Sequence, residues 1–166
     1  MATYTNAKFI KHDDYATPNY AWEDIKQYIP KKKIWEAFYL DGDSGTHLKK
    51  LGFDVIHKPI DFFEHDEGEI VVSNPPFSKC PQVLKRLVEL NKPFILIMPS
   101  SKINTQYFRK LFANNKDPIQ IIIPKKRINF TKKIDGKVPE NWGNRCNFDC
   151  FYYCWKIGLP KDIIFL

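Results

Sequence analysis

Two short apolar runs with an amphipathic segment between them constrain the fold of this chain most strongly. Ile70 to Ser73 and Phe94 to Met98 are rich in β-branched and aromatic side chains, which is typical of buried strands. Between them, the apolar residues from Pro81 to Leu90 recur at the spacing of one helical face. Parallel strands need a crossover connection, usually a helix. The segment therefore predicts a parallel sheet with a helix packed against it.

The rest of the chain continues this alternation and ends differently. Further predicted strands are Ile34 to Phe38, Phe53 to Ile56, Ile60 to Phe63, and Ile119 extending towards Phe130, the last paired with Asn147 to Ile157. Further helices are predicted from Thr17-Pro18, with Thr17 as the N-cap, before Leu51, and from Gln106 to Phe112. The pattern predicts one α/β domain over residues 1–166. Its sheet is mostly parallel, helices cover both faces, and an antiparallel hairpin closes it.

Composition limits the class of protein. In 166 residues, 43% are hydrophobic and 15% aromatic, which is typical of one folded domain. No apolar run approaches 18 residues and no secretory signal is seen, so no membrane partner and an intracellular, cytoplasmic location are expected. The four cysteines show no secreted disulfide pattern. Cys146, Cys150 and Cys154 lie in an aromatic, strand-like segment, so no metal site is predicted.

The charge is distributed unevenly along the chain. Residues 1–78 carry 9 Lys/Arg and 13 Asp/Glu, whereas residues 79–166 carry 17 and 6, for a total of +7. Basic residues are densest from Lys125 to Lys133, with polar and aromatic residues between them. Such a cluster suits a phosphate backbone, and a solvated lysine-rich face is the alternative.

The tetrapeptide Asn74-Pro75-Pro76-Phe77 directly follows the predicted strand that ends at Ser73. In open α/β sheets, ligands bind at the carboxyl ends of the strands. Asn74 supplies a side-chain acceptor, the Pro75 carbonyl supplies a second, and Phe77 offers a flat aromatic face. Two acceptors and a stacking plane suit the amino edge of a planar heterocycle.

This tetrapeptide, preceded by a strand and turn with an acid and a glycine, resembles the class I S-adenosylmethionine-dependent adenine-N6 DNA methyltransferases. It is most similar to the short forms found in phages and large DNA viruses, for which the host cytoplasm is the expected location. The resemblance covers most of the chain, from Tyr15 to the closing hairpin. It implies a Rossmann-like class I methyltransferase sheet and S-adenosylmethionine as cofactor. Residues 1–30 are then a segment that covers the cofactor, and residues 119–157 a basic terminal hairpin.

The resemblance implies catalytic roles for Asn74, Pro75, Pro76 and Phe77. The exocyclic amine of adenine is a poor nucleophile because its lone pair is delocalised into the ring. By resemblance, Asn74 and the Pro75 carbonyl accept the two amine hydrogens, and Phe77 stacks on a base that has left the duplex. Methyl transfer is then a direct in-line displacement that depends on positioning.

The resemblance also implies a cofactor site. Glu36 would meet the cofactor's ammonium, Gly42 would allow close backbone approach, and Asp61 with Phe62 would meet its ribose or adenine. The chain departs from the family pattern at Leu40 and Asp43, where small residues or glycine are usual, and at the end of the second strand, which lacks an acid. Asp41 and Asp43 also add negative charge. The implied cofactor-binding residues are Tyr15, Thr17, Pro18, Glu36, Phe38, Gly42, Ser44, Asp61 and Phe62.

DNA is the expected partner, and three alternatives stay open. The first is the same chemistry on RNA adenine, and the second is a non-catalytic subunit that binds nucleic acid. A third, methylation of a protein glutamine, suits a basic surface poorly. The chain leaves no room for a separate recognition domain, so sequence choice would come from the hairpin loop, a homodimer or a partner subunit. The candidate nucleic-acid contacts are Lys125, Lys126, Arg127, Asn129, Phe130, Lys132, Lys133 and Arg145.

Overall fold

The structure is a computed structural model that describes residues 15–40, 42–132 and 148–166. The strands are β1 Tyr15–Ala16, β2 Ile34–Trp35, β3 Val55–Ile56, β4 Ile70–Ser73, β5 Phe94–Pro99, β6 Ile119–Ile123, β7 Thr131–Lys132, β8 Cys150–Trp155 and β9 Ile163–Phe165. The α-helices are α1 Asn19–Glu23, α2 Asp43–Lys50, α3 Cys80–Glu89 and α4 Gln106–Phe112. Three 3-10 turns occupy Lys26–Tyr28, Phe77–Lys79 and Ser100–Asn104.

Seven of these strands form one sheet in the order β3-β2-β4-β5-β8-β6-β9. Neighbouring strands are parallel except at β8, which runs antiparallel to both β5 and β6. The α/β fold with a mostly parallel, Rossmann-like sheet is thus confirmed, as is the antiparallel pairing of β6 with β8. β8 lies between β5 and β6 and pairs with both, so the hairpin strands continue the sheet directly from β5.

Helices cover both faces of the sheet. The connection from β2 through α2 leads to β3, in one direction along the strand order. The connection from β4 through α3 leads to β5, in the opposite direction. Right-handed crossovers in opposite directions place α2 and α3 on opposite faces. Accordingly, α1 packs with α2, and α3 packs with α4.

The core lies between the sheet and these helices. Its central strands β4 and β5 are buried along their whole length, because each is covered on two faces. Tyr152 of β8 donates a hydrogen bond to the Ala21 carbonyl at 2.6 Å, which fixes α1 on the sheet. Burial raises the pKa of Tyr152, so this hydroxyl remains a donor.

Several predicted strands are shorter than expected or absent. β2 ends at Trp35 and not at Phe38, and β3 begins at Val55 and not at Phe53. Ile60 to Phe63 forms a turn, in which the Asp61 carboxylate accepts a hydrogen bond from the Phe63 amide at 2.8 Å. The strand that begins at Ile119 ends at Ile123 and does not extend to Phe130. Pro124 follows immediately and has no N–H to continue the ladder.

The N-terminal segment begins with a strand and a short helix. β1 pairs antiparallel with β7 in a separate two-stranded ribbon, so Tyr15 lies opposite Lys132. Pro18, and not Thr17, occupies the N-cap of α1, and Thr17 makes no capping hydrogen bond. Helix assignments differ by a residue at such ends, but the missing cap contact leaves Thr17 available for another role.

Candidate active site

A narrow cleft opens where the carboxyl ends of β2 and β4 meet. This is the point at which the chain's crossovers change direction, where open α/β sheets form ligand crevices. About 290 Å³ of empty space lies along the cleft, including space that is open to solvent. Its lining residues are Tyr15, Ala16, Thr17, Glu36, Phe38, Tyr39, Leu40, Asp43, Ser44 and Asn74.

The residues that follow β2 form one wall of the cleft, which is called the acidic wall because it includes Glu36 and Asp43. Glu36 is only 1% exposed, and its Oε1 accepts a hydrogen bond from the Ser73 hydroxyl at the end of β4. Asp43, in the first turn of α2, adds a second carboxyl group. Among the described residues that line the cleft there is no lysine or arginine. The electrostatics therefore favour a ligand that carries positive charge over one that carries phosphate.

Two glycines shape the segment that follows β2, one before α2 and one in its first turn. Gly42 has a φ of +82°, a backbone conformation that side chains disfavour, and it lies against the Tyr39 ring. A Cβ on Gly45 would lie 2.4 Å from Cγ of His57, so α2 and the end of β3 are in close contact. Ser44 accepts a hydrogen bond from the Trp22 indole at 3.1 Å, which joins the turn to α1.

Asn74 forms the opposite wall of the cleft. Its Nδ2 donates to the Tyr15 carbonyl at 3.2 Å. Its Oδ1 is buried and has no hydrogen-bond partner among the described residues. An unpaired buried acceptor costs about 1–3 kcal/mol, so it calls for an explanation, and a donor on a ligand is the simplest one.

Thr17 carries a second unpaired polar atom in the same cleft. The residue is 8% exposed, and its Oγ1 is buried without a hydrogen-bond partner in the described part of the chain. Thr17 and Asn74 both line the cleft. Two such atoms in one small space indicate a site that is completed by a polar ligand.

Phe77 lies at the start of the 3-10 turn that follows the two prolines, and Pro75 and Pro76 are both buried. The Phe77 ring is 8% exposed and packs in an aromatic cluster with Tyr15, Phe130 and Phe148. The Tyr15 and Phe77 rings are nearly parallel, at 24°, with centroids 6.1 Å apart. The sequence predicted an exposed aromatic face, whereas in the structure Tyr15 covers it.

Asp61 and Phe62 do not lie in the cleft, although they were expected to bind the cofactor. The Asp61 carboxylate accepts the hydrogen bond that holds its own turn, and its carbonyl faces Nδ1 of His65 at 3.0 Å. Phe62 is 3% exposed and packs on Trp35 and Phe38. Phe62 thus supports a wall of the cleft from behind. Pro18 and Gly42 also lie outside the cleft lining, beside Thr17 and Tyr39.

His57 directly follows β3, which has no acidic residue at its end. Its ring stacks on Tyr39 with centroids 5.8 Å apart and fills the space beside Gly45. Burial, and then the charge of Lys49, lower the pKa of His57. Sequence patterns do not single out His57, because one histidine without a partner motif gives no local signal.

The expected nucleic-acid contacts fall into two groups. Lys125, Lys126, Arg127 and Asn129 line one open groove of about 1,090 Å³, together with Tyr20, Asp24 and Leu166. Arg127 forms a bidentate ion pair with Asp149, which offsets part of the positive charge. Asn129 is held by its backbone amide, which donates to the Tyr20 hydroxyl at 2.9 Å.

The other expected contacts are placed differently. Phe130 is 1% exposed and belongs to the aromatic cluster, so it does not reach the groove. The backbone of Lys132 pairs with that of Tyr15. Lys133 and Arg145 lie outside the described residues.

Several residues of these sites were not predicted from sequence. The cleft is also lined by Ala16, Tyr39, Leu40 and Asp43. The basic groove is also lined by Tyr20, whose side chain is 39% exposed. Leu40 and Asp43 had a sequence signal, because both stand where the resembled pattern has a small residue or glycine. Tyr20 lies far from the basic segment in sequence, and only the fold brings the two together.

Comparison with models of known protein families and with curated protein sequences finds no match to this chain. In the described ranges, no group of three or more His, Cys, Asp and Glu side chains is placed to hold a metal ion. None of the helices described is long and apolar enough to cross a membrane.

Proposed function

We propose that the protein transfers a methyl group from S-adenosylmethionine to the exocyclic N6 amine of adenine in DNA. The observation that carries this proposal is Asn74, whose buried Oδ1 is unpaired while its Nδ2 is held by the Tyr15 carbonyl. An amide fixed through its nitrogen offers only its oxygen, which suits a substrate that donates a hydrogen. The N6 amine of adenine is such a donor.

The lining of the cleft fits the cofactor. S-adenosylmethionine supplies a methyl group on a positively charged sulfur, next to an ammonium and a carboxylate. The acidic side chains of Glu36 and Asp43 favour these positive groups, and the Thr17 hydroxyl can pair with a polar one. A dinucleotide cofactor would place phosphates against the same carboxyl groups, and no glycine-rich phosphate loop is present.

The residues act by position and charge. Asn74 Oδ1 and the Pro75 carbonyl accept the two amine hydrogens, which favours a pyramidal nitrogen with its lone pair directed into the cleft. Two consecutive prolines limit the backbone freedom of these acceptors. The new N–C bond forms as the S–C bond breaks, the electron pair passes to sulfur, and the amine proton is lost to water. The chain contributes no covalent intermediate.

The aromatic cluster suits a base that has left its helix. The rings of Phe77 and Tyr15 are nearly parallel. A planar base can stack between them once the two rings move slightly apart. Tyr15 is held by the Asn74 amide, by the two-residue ribbon with β7 and by ring contacts with Phe130 and Phe148. The ribbon is marginal by itself, so the ring contacts supply much of what holds Tyr15 over Phe77.

The test is methyl transfer to DNA by the purified protein, with labelled cofactor and unmethylated DNA of varied sequence. Asn74→Ala should lower transfer by about 100-fold or more, as removal of an essential polar contact does. Asn104→Ala, an exposed asparagine outside the cleft, is the matched control and should keep wild-type activity. No labelled base with the wild-type protein on any DNA would contradict the proposal. Competing RNA and DNA in the same reaction decides between the two nucleic acids.

One observation favours a second function. Asp61 is engaged in its own turn, and His57 occupies the end of β3, so no described acid is placed to hold ribose hydroxyls. A methyltransferase-like subunit that binds nucleic acid without catalysis would have this feature. Calorimetry with S-adenosylhomocysteine separates the two functions. Micromolar binding supports the enzyme, and no binding supports the subunit.

A further inference from the structure

The strand β9 forms an edge of the seven-stranded sheet and pairs with β6 on one side only, within the described residues. The Asp162 carbonyl and the Leu166 amide bond to β6 at 2.8 and 3.0 Å. Backbone groups of successive residues in a strand point to opposite sides. The N–H and C=O groups of Ile163 and Phe165 therefore face outward, along the free edge.

The side chains at this edge are also unusual. Ile163 is 55% exposed and Phe165 is 76% exposed, the two most exposed large hydrophobic residues described, whereas Ile164 between them is 9% exposed. Free edges of natural sheets usually carry charges, prolines or bulges that prevent pairing, and β9 itself has none of these. No described residue covers the outward backbone groups or the apolar side chains of β9, so both are open to a partner.

An apolar groove lies on the same face of the sheet as Ile163. It holds about 1,270 Å³ of open space, and its apolar lining includes Ile103, Phe108, Phe112, Ile119, Ile121 and Ile163. Its charged lining residues are Arg109 and Asp162, whose opposite charges offset each other. The groove thus has no excess charge for a nucleic-acid backbone, and an apolar occupant fits it better.

We propose that two copies of this chain associate through β9, with the two strands antiparallel about a twofold axis at Ile164. In this register Ile163 of one copy lies opposite Phe165 of the other. The outward backbone groups then form four hydrogen bonds, two for each such pair. An interface with twofold symmetry must be complementary to itself, and this strand meets that requirement.

The same register supplies an occupant for the groove. Side chains of directly opposed residues lie on the same face of an antiparallel pair. The Phe165 ring of one copy is therefore placed beside Ile163 of the other, at the opening of the apolar groove. The strand and this ring are smaller than a standard interface of roughly 800 Å² per partner, so we expect a dimer that dissociates at micromolar concentrations.

The test is the molar mass of the full chain by sedimentation and light scattering, from 1 to 100 μM. The wild-type protein should pass from monomer to dimer in this range. Ile163→Pro removes an outward N–H that β6 does not use, and should raise the dissociation constant at least tenfold. Phe165→Lys should do the same by placing charge at the interface. Phe63→Lys changes an exposed phenylalanine away from this edge and should leave dimerisation unchanged.

Circular dichroism and thermal melting establish that each variant is folded. Because Phe165 is exposed, Phe165→Lys keeps the test valid if the proline variant does not fold. A wild-type protein that remains a monomer at 100 μM would overturn the proposal. A dimer that neither Ile163→Pro nor Phe165→Lys weakens would overturn it as well, because association would then use another surface. Neither result depends on methyl transfer.

Discussion

The two walls of the cleft are built in different ways. The acidic wall comes from one continuous segment, from Glu36 to Ser44, and its shape depends on the turn at Gly42. The opposite wall is assembled from distant parts of the chain, because Asn74 is held by Tyr15, 59 residues away. The first wall thus depends on local backbone geometry, whereas the second depends on a contact that only the whole fold supplies.

The largest expected effect separates the functions of the two walls. Glu36→Gln removes a carboxyl group from the acidic wall and should weaken S-adenosylhomocysteine binding by about tenfold or more, the effect of losing one charged hydrogen bond. Asn74→Ala should lower methyl transfer by about 100-fold or more and leave this binding within a few-fold of wild type. Calorimetry on both variants is the measurement, with exposed Glu64→Gln as the control. Equal losses of binding in both variants would show that the two walls act as one.

The basic groove should respond to charge in a graded way. The double change Lys125→Glu and Lys126→Glu should weaken DNA binding and lower the slope of log affinity against log salt by about 2. Fluorescence anisotropy at several salt concentrations measures both quantities. Lys31→Glu with Lys32→Glu alters an exposed basic pair before β2, at the opposite end of the sheet, and should have little effect. Similar losses in both double variants would indicate non-specific attraction.

The acidic wall should be sensitive to volume at Gly45. In an open helix, alanine in place of glycine stabilises by about 0.5–1 kcal/mol. Here the added Cβ would lie 2.4 Å from the His57 ring, so Gly45→Ala should destabilise the protein by about 1–3 kcal/mol. The melting temperature should fall by about 2–4 °C per kcal/mol. Exposed Thr46→Ala in the same helix should change it little, and a rise for Gly45→Ala would contradict this contact.

The smallest expected effect is a pH dependence at the same place. Burial and then Lys49 lower the pKa of His57 in the folded state, so protonation favours the unfolded chain. The stability that neutral His57 contributes is present above about pH 6.5, the ordinary value, and is lost as pH falls through the lowered pKa. Melting between pH 7.5 and pH 5 should be less pH-dependent for His57→Gln. Lys49→Ala should reduce the dependence partly, and no change in either variant would argue against this cause.

Much of the fold was predictable because its signals are local. The spacing of apolar residues and the residues that end each segment predict three elements correctly. These are the strand that ends at Ser73, the amphipathic helix after it and the strand from Phe94. The failures have the same origin. Ile60 to Phe63 has the composition of a strand. The Asp61 carboxylate accepts a hydrogen bond from the Phe63 amide, however, and this local bond stabilises a turn.

The candidate site was predictable only in part. Asn74 follows a buried strand, so its place at the edge of the sheet could be predicted. The burial of Phe77 could not be predicted, because its neighbours Tyr15, Phe130 and Phe148 are far from it in sequence. Phe130 illustrates the same limit, since its basic neighbours suggested an exposed surface and the structure buries it.

The sequence by itself determined the central strands and the helices, and that Asn74 ends a central strand. These properties depend on backbone sterics and on the period of apolar residues, which act over a few positions. Only the tertiary structure decided that Tyr15 holds Asn74 and covers Phe77, that Asp61 serves its own turn, and that Tyr20 joins the basic groove. Such contacts join residues brought together by the whole fold, so their energies cannot be assigned before the sheet order is known.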